Sequence, residues 1–248
     1  MKVIVNQTYS ENKIKDLIHS FDEKGDIFYA KRNTIKIFKV GNEEWNVKSF
    51  KVPHLINKFA YRFIRKSKAQ RSFEYANYLL DHGILTPKPI AYTEQYTFFG
   101  LSNSYYVSEN LHYDLTFREL IHDKKYPDRE NILKQFTEFT YNLHEKGIHF
   151  LDHSPGNTLI VKKADNTYDF YLIDLNRMKF GKMDFETRIQ NFANLTLTED
   201  MIVIISKKYA EHIKKDELIV KNEITQVANQ SAAKRLKKHN LKKKLGKK

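Results

Sequence analysis

The sequence predicts an α+β fold, in which a small antiparallel β-sheet lobe carrying one key helix precedes a reduced, mainly helical half. Three observations carry this. Residues 27–30, 34–40 and 45–50 are short runs rich in β-branched and aromatic side chains, with a Gly41-Asn42 turn between the last two, which reads as an antiparallel meander. Phe73, Ala76 and Leu80 then recur at helical spacing. Further on, Ile132, Leu133, Phe136, Phe139 and Leu143 mark one face of a long helix over 128–146.

Element by element, Lys48 sits in the third strand between Val47 and Phe50, a setting that turns its ammonium toward a cleft if the strand is half buried. Taken without its context it reads as an ordinary outward-facing strand lysine. Leu55, Ile56, Phe59, Phe63 and Ile64 give an amphipathic helix over 55–66 whose other positions include Lys58, Arg62, Arg65 and Lys66. Ser67 with Gln70 forms a capping box for the next helix, in which Glu74 lies at the edge of the buried face; Gly83 ends that helix and Thr86-Pro87 prevents its continuation. Strands are expected at 89–92, 96–101 and 104–108, and Glu109-Asn110-Leu111 breaks the pattern as a hinge. A short helix at 116–122 and the long one follow, and Gly147 stops the latter. Residues 158–161 and 170–173 read as a hairpin with Asp174 at the end of its second strand. The expected organisation is a β-rich lobe over 1–110, a helical lobe over 111–230 and a basic tail over 231–248.

Composition narrows the class. With 248 residues, 41% hydrophobic and 13% aromatic, the chain can bury a sizeable core. It has no cysteine, which removes disulfides and thiolate metal sites. No apolar run approaches a bilayer span and the start is too soon polar for a secretion signal, so a cytoplasmic protein is expected. The net charge of +13 is concentrated: residues 231–248 hold nine Lys/Arg and no acid. Nothing in that tail interleaves aromatics for base stacking, so nucleic acid is disfavoured as a partner.

The most informative segments are Asp152-His153-Ser154-Pro155-Gly156-Asn157 and, after a strand, Ile173-Asp174-Leu175-Asn176-Arg177. An Asp with Asn five residues on is a weak signal alone. The element order gives it weight, since the pair follows a helix and precedes an apolar strand that ends in another Asp. Two carboxylates and a carboxamide in this order resemble the protein-kinase-like fold, and the resemblance implies phosphoryl transfer. By it, Asp152 is the catalytic residue that orients the acceptor hydroxyl and takes its proton, Asn157 and Asp174 are Mg²⁺ ligands, and Lys48 binds the ATP phosphates with Glu74 as its ion-pair partner. Glu109 falls at the hinge, where backbone groups read adenine.

The departures matter as well. Phe150-Leu151 stands where protein kinases carry His-Arg, so the arginine that answers activation-loop phosphorylation is missing. Leu175 and Asn176 replace the Phe-Gly of the metal motif, and only 74 residues follow Asp174. The turn at 29–34 has no glycine, which leaves Lys31, Arg32 or Asn33 to meet phosphate through side chains. Together with Lys68-Ala69-Gln70-Arg71-Ser72-Phe73-Glu74, these segments are similar to the bacterial lipopolysaccharide kinase (Kdo/WaaP-like) family over roughly residues 26–182. That resemblance implies an ATP- and Mg²⁺-dependent kinase acting on a sugar hydroxyl, Kdo (3-deoxy-D-manno-octulosonic acid) or heptose, of a lipopolysaccharide or lipid A precursor. It also gives the basic helix 55–66 and tail 231–248 a use against an anionic membrane surface, placing the enzyme peripherally at the cytoplasmic face of the inner membrane. Two alternatives stay open here: a small-molecule or protein-serine kinase of the same fold, and a non-catalytic nucleotide-binding pseudokinase.

Overall fold

A computed structural model describes residues 1–30, 33–50 and 65–244. Most of the basic helix expected at 55–66, together with Lys31 and Arg32, lies outside the described residues. The chain divides into two compact units, residues 1–112 with 174–176, and residues 113–173 with 177–244.

The first unit is built on six antiparallel strands. In chain order they are β1 (Lys2–Val5), β2 (Asp26–Ala30), β3 (Thr34–Val40), β4 (Glu43–Ser49), β5 (Pro89–Thr97) and β6 (Gly100–Glu109). Their order across the sheet is β1-β5-β6-β4-β3-β2. β1 and the helix α1 (Glu11–His19) escape a sequence reading because both are short. Helix α1 nevertheless places Ile14, Leu17 and Ile18 against Phe38, Trp45, Val47 and Val107 of the sheet. Strands expected at 89–92, 96–101 and 104–108 are in fact two longer strands that turn at Phe98-Phe99, because Tyr92 to Gln95 stay in register with β6 and the pairing resumes at Tyr96 after a bulge.

The chain turns after α1 around Lys36 of β3, a buried lysine whose ammonium donates to the carbonyls of Phe21 (2.6 Å), Asp22 (3.2 Å) and Lys24 (3.0 Å). Burial of an ammonium is tolerable here because backbone oxygens replace its water. Helix α2 (Lys68–Asp81) packs Ala69, Phe73 and, through the sheet, Tyr92 and Phe50 into a second small core. Ser67 Oγ accepts from Gln70 N–H (3.0 Å), which is half of the expected capping box; the Gln70 side chain turns to Glu74 instead.

The second unit comprises β7 (Leu115–Thr116), α3 (Phe117–His122), α4 (Arg129–Glu145), β8 (Ile148–Phe150), β9 (Thr158–Lys162), β10 (Tyr168–Leu172), β11 (Met178–Phe180), α5 (Phe185–Gln190), α6 (Glu199–Ile213) and α7 (Glu217–Lys244). Phe117, Phe136, Phe192 and Tyr209 are fully buried in its core, each worth roughly 1.5–3 kcal/mol of burial. Strand β8 must start immediately after α4, and Gly147 makes that possible. Its φ is +66°, and a Cβ there would meet the Gly181 carbonyl at 2.6 Å, so the β8–β11 pairing needs glycine at this position.

Helix α7 buries Val220 and Ile224 and then runs on with every residue from 232 to 244 exposed, so much of the basic tail is a continuation of this helix. Among the described residues no helix is long and apolar enough to cross a membrane.

Candidate active site

In the first unit, strand β4 sets Lys48 opposite Ile35 on one side and Tyr106 on the other. Its side chain is only 14% exposed, and its ammonium lies over the Phe50 ring, 5.3 Å from the centroid. A strand lysine held this way has lost much of its water and needs an anion. Asp174 supplies it, with Lys48 Nζ donating to Asp174 Oδ1 at 2.7 Å. Asn176 Nδ2 donates to the same oxygen at 2.7 Å. The backbone at Asp174 has φ +59°, a left-handed turn that aspartate tolerates better than most side chains. Asp174 therefore lies two residues past β10 rather than on it. Its second carboxylate oxygen is left over by these two bonds.

The expected Lys48–Glu74 ion pair is not formed. Glu74 Oε2 takes Lys66 Nζ at 2.7 Å and Oε1 takes Gln70 Nε2 at 2.9 Å. The reason is local geometry: Gln70 is one helical turn before Glu74, Lys66 stands just ahead of α2, and Lys48 is already satisfied by Asp174. Glu109 ends β6, where its carboxylate meets Lys88 (3.5 Å) and Tyr9 Oη (3.3 Å). The hinge N–H groups are also used internally, Glu109 N–H to Lys88 O (2.9 Å) and Asn110 N–H to Glu44 O (2.8 Å).

In the second unit the Asp152 loop is tied at each end. Leu151 N–H donates to Arg177 O (3.1 Å), and Ile173 N–H donates to Asn157 O (3.0 Å). Pro155–Asn157 form a 3₁₀ turn, after which β9 begins. The Asp152 carbonyl accepts from Ser154 N–H (2.7 Å) and Asn157 Nδ2 (2.8 Å), so the Asn157 amide braces the aspartate while its own carbonyl oxygen stays available as a hard ligand. The Asp152 carboxylate is 37% exposed and takes one long contact, from Arg177 Nη1 at 3.3 Å.

Behind the loop lies a buried polar chain with no formal charge. Asn191 Nδ2 donates to the Phe150 carbonyl (2.7 Å), two residues before Asp152, which leaves its Oδ1 to accept from His144 Nε2 (3.2 Å). His144 Nδ1 then accepts from Tyr209 Oη (2.6 Å), so one neutral tautomer satisfies every member. Burial pushes the His144 pKa down to about 3. His153, fully buried beside the Phe136 and Phe150 rings, is likewise lowered to about 4, first by burial.

Sequence reasoning missed His144, Asn191 and Tyr209, which meet across 41 to 65 residues of chain and carry no local motif. Asn176 and Arg177 were legible as neighbours of Asp174, though not as its brace and as the cation on Asp152.

The available donors suit magnesium, an oxygen-seeking ion that keeps few protein ligands and shares substrate phosphates. Among the described residues no three His, Cys, Asp or Glu side chains converge into an all-protein metal cage. In the first unit the remaining carboxylate oxygen of Asp174 is such a donor, and in the second unit the amide oxygen of Asn157 is one.

Comparison with known proteins gives a family match and similar solved structures. The model of the lipopolysaccharide kinase (Kdo/WaaP) family matches residues 38–214. A solved structure described as WaaP in complex with acyl carrier protein superposes with a TM-score of 0.64 over 96% of this chain and 99% of that one, at 14% identity. At that identity the superposition speaks for the fold, which is protein-kinase-like. No curated protein matches the sequence.

Proposed function

The chain belongs to the lipopolysaccharide kinase (Kdo/WaaP) family and is a kinase acting on a sugar hydroxyl, and we propose that it transfers the γ-phosphate of Mg²⁺-ATP to Kdo or heptose of a lipopolysaccharide or lipid A precursor. The observation that carries this is Asp152. Its backbone is braced on both sides, while its carboxylate keeps a free oxygen and partial exposure. A base held so can accept the hydroxyl proton as the acceptor oxygen bonds to phosphorus and the bond to ADP breaks.

Lys48 binds the phosphates by exchanging one anion, Asp174, for another, and its low exposure keeps that exchange electrostatically strong. Asp174 and Asn157 would supply oxygen ligands to Mg²⁺, with Asn176 bonded to the other oxygen of Asp174. When bound, the ion draws off charge from the transferring phosphate. Purified protein incubated with Mg²⁺-ATP and Kdo-bearing lipid A should yield a product heavier by one phosphate. No mass increment on this acceptor or on a heptose-bearing one would reject the substrate.

We place the enzyme at the cytoplasmic face of the inner membrane, with residues 231–248 against anionic lipid. In support, residues 232–244 are exposed helix carrying Lys234, Arg235, Lys237, Lys238 and Lys242 to Lys244, each worth about 1 kcal/mol near an anionic surface. Deleting residues 231–248 should lower binding to anionic liposomes in a salt-sensitive manner, with duplex DNA competing poorly. Equal binding by both chains would end this assignment.

A further inference from the structure

We infer that Arg118 reads an anionic group on the acceptor, a carboxylate or a phosphate, and so sets acceptor specificity. This rests on Asp152 being the base, because the site is defined by its distance along that loop.

Arg118 is the second residue of α3, and its guanidinium packs directly on Gly156 in the 3₁₀ turn that follows Asp152. A Cβ at Gly156 would lie 2.5 Å from Arg118 Nη2 and 3.4 Å from Cζ. A side chain at 156 would make the guanidinium shift from this place on the loop. The backbone there is not in the left-handed region, so its turn geometry alone does not require glycine.

The guanidinium is also unspent. Among the described residues of the second unit there are four other arginines, and each donates to a protein oxygen. Arg129 reaches Leu120 O and Asp200, Arg177 reaches Asp152, Arg188 reaches Met183 O and Glu145, and Arg235 reaches Ser231. Among the described residues Arg118 has no side-chain hydrogen-bond or ion-pair partner, and it is exposed. The carboxylate of its neighbour Glu119 feels its charge but spends its hydrogen bonds on the Thr116 N–H (2.8 Å) and Oγ1 (2.6 Å) in the capping box.

Surface arginines commonly point at water. This one is laid over the loop that holds the base, in the space that a Cβ at 156 would need. Five uncommitted donors in a planar fork match two oxygens of a carboxylate or phosphate. Arg177 on Asp152 adds a second positive charge on the same loop, so the loop favours an acceptor that carries negative charge beside its reactive hydroxyl.

Binding, measured without ATP, separates this from the catalytic reading. Kdo, its uncharged methyl ester, glucosamine 1-phosphate and Mg²⁺-ATP would each be titrated into wild-type protein, Arg118→Ala, Arg118→Lys and Gly156→Ala. We expect Arg118→Ala to weaken Kdo or glucosamine 1-phosphate by about tenfold, to bind the methyl ester as wild type does, and to keep Mg²⁺-ATP within about twofold. The probe that responds tells carboxylate from phosphate. Arg118→Lys should fall between, and Gly156→Ala, which displaces the guanidinium without removing it, should move the same way as Arg118→Ala. Wild-type binding of neither anion, unchanged anion binding in Arg118→Ala, or an equal loss of Mg²⁺-ATP affinity would overturn the inference. Asp152→Ala turning over normally would instead remove the base while leaving these titrations intact.

Discussion

The Lys48–Asp174 cluster and the Asp152 loop hold their key carboxylates by opposite means. Asp174 is fixed by charge: an ammonium and a carboxamide share one of its oxygens, in a setting that solvent still reaches, with Asp174 34% exposed. Asp152 is fixed by its backbone, which rests on a neutral, fully buried chain from Tyr209 through His144 and Asn191 to Phe150. The first plan suits a group that must trade partners when phosphate arrives, since a salt bridge can be exchanged for another anion. The second suits a base, whose carboxylate must stay uncommitted while its position does not drift. Uncharged groups hold its backbone, and in a low-dielectric interior their hydrogen bonds are costly to break.

The largest expected effect separates the two carboxylates. Asp152→Ala should lower kcat by about 10²–10⁴-fold with Mg²⁺-ATP affinity within about twofold of wild type. Asp174→Ala should weaken Mg²⁺-ATP by at least about tenfold besides removing turnover. Equilibrium binding of Mg²⁺-ATP to both variants decides this, and equal affinities would erase the distinction.

Next in size is the difference between the two braces. Asn191→Leu strands the Phe150 carbonyl and His144 N–H in a dry interior, at about 1–3 kcal/mol each, and should lower Tm by several degrees while reducing kcat more than the KM for Mg²⁺-ATP. Asn176→Leu removes a bond that Lys48 partly replaces, so about 0.5–1.5 kcal/mol is expected. Thermal melts of the pair would show equal losses if the buried chain were not the stiffer support.

A smaller and graded effect comes from pH. His144 and His153 have folded pKa values of about 3 and about 4, below the ordinary 6.5, so the unfolded chain binds more protons as pH falls. Their contribution is complete above about pH 6.5 and is lost below it, at about 1.4 kcal/mol per pH unit for each imidazole until the folded value is reached. Tm should therefore fall between pH 7 and 5, and less steeply in His153→Leu. An identical slope in that variant would show that His153 is not held neutral.

What was legible in the sequence was local. The Asp152–Asn157 spacing, the strand before Asp174 and the stop at Gly147 are each written within a few residues, where chain geometry and side-chain chemistry leave few choices. The partner of Lys48 was misread as Glu74 because an arrangement typical of the fold was carried over, whereas a carboxylate bonds whichever donor its own backbone brings within reach. For Glu74 those were Lys66 and Gln70; for Lys48 it was an aspartate 126 residues away.

The sequence by itself determined the α+β order and the concentration of charge in the tail, because composition and short periodicities record these directly, and it pointed to kinase chemistry through a family resemblance of its loop segments. Only the tertiary structure decided which anion Lys48 holds, that a neutral histidine underpins the Asp152 loop, and that Arg118 lies unspent on Gly156. Each of those depends on groups far apart in the chain, and hydrogen-bond donors and acceptors are matched by where folding places them rather than by their spacing in sequence.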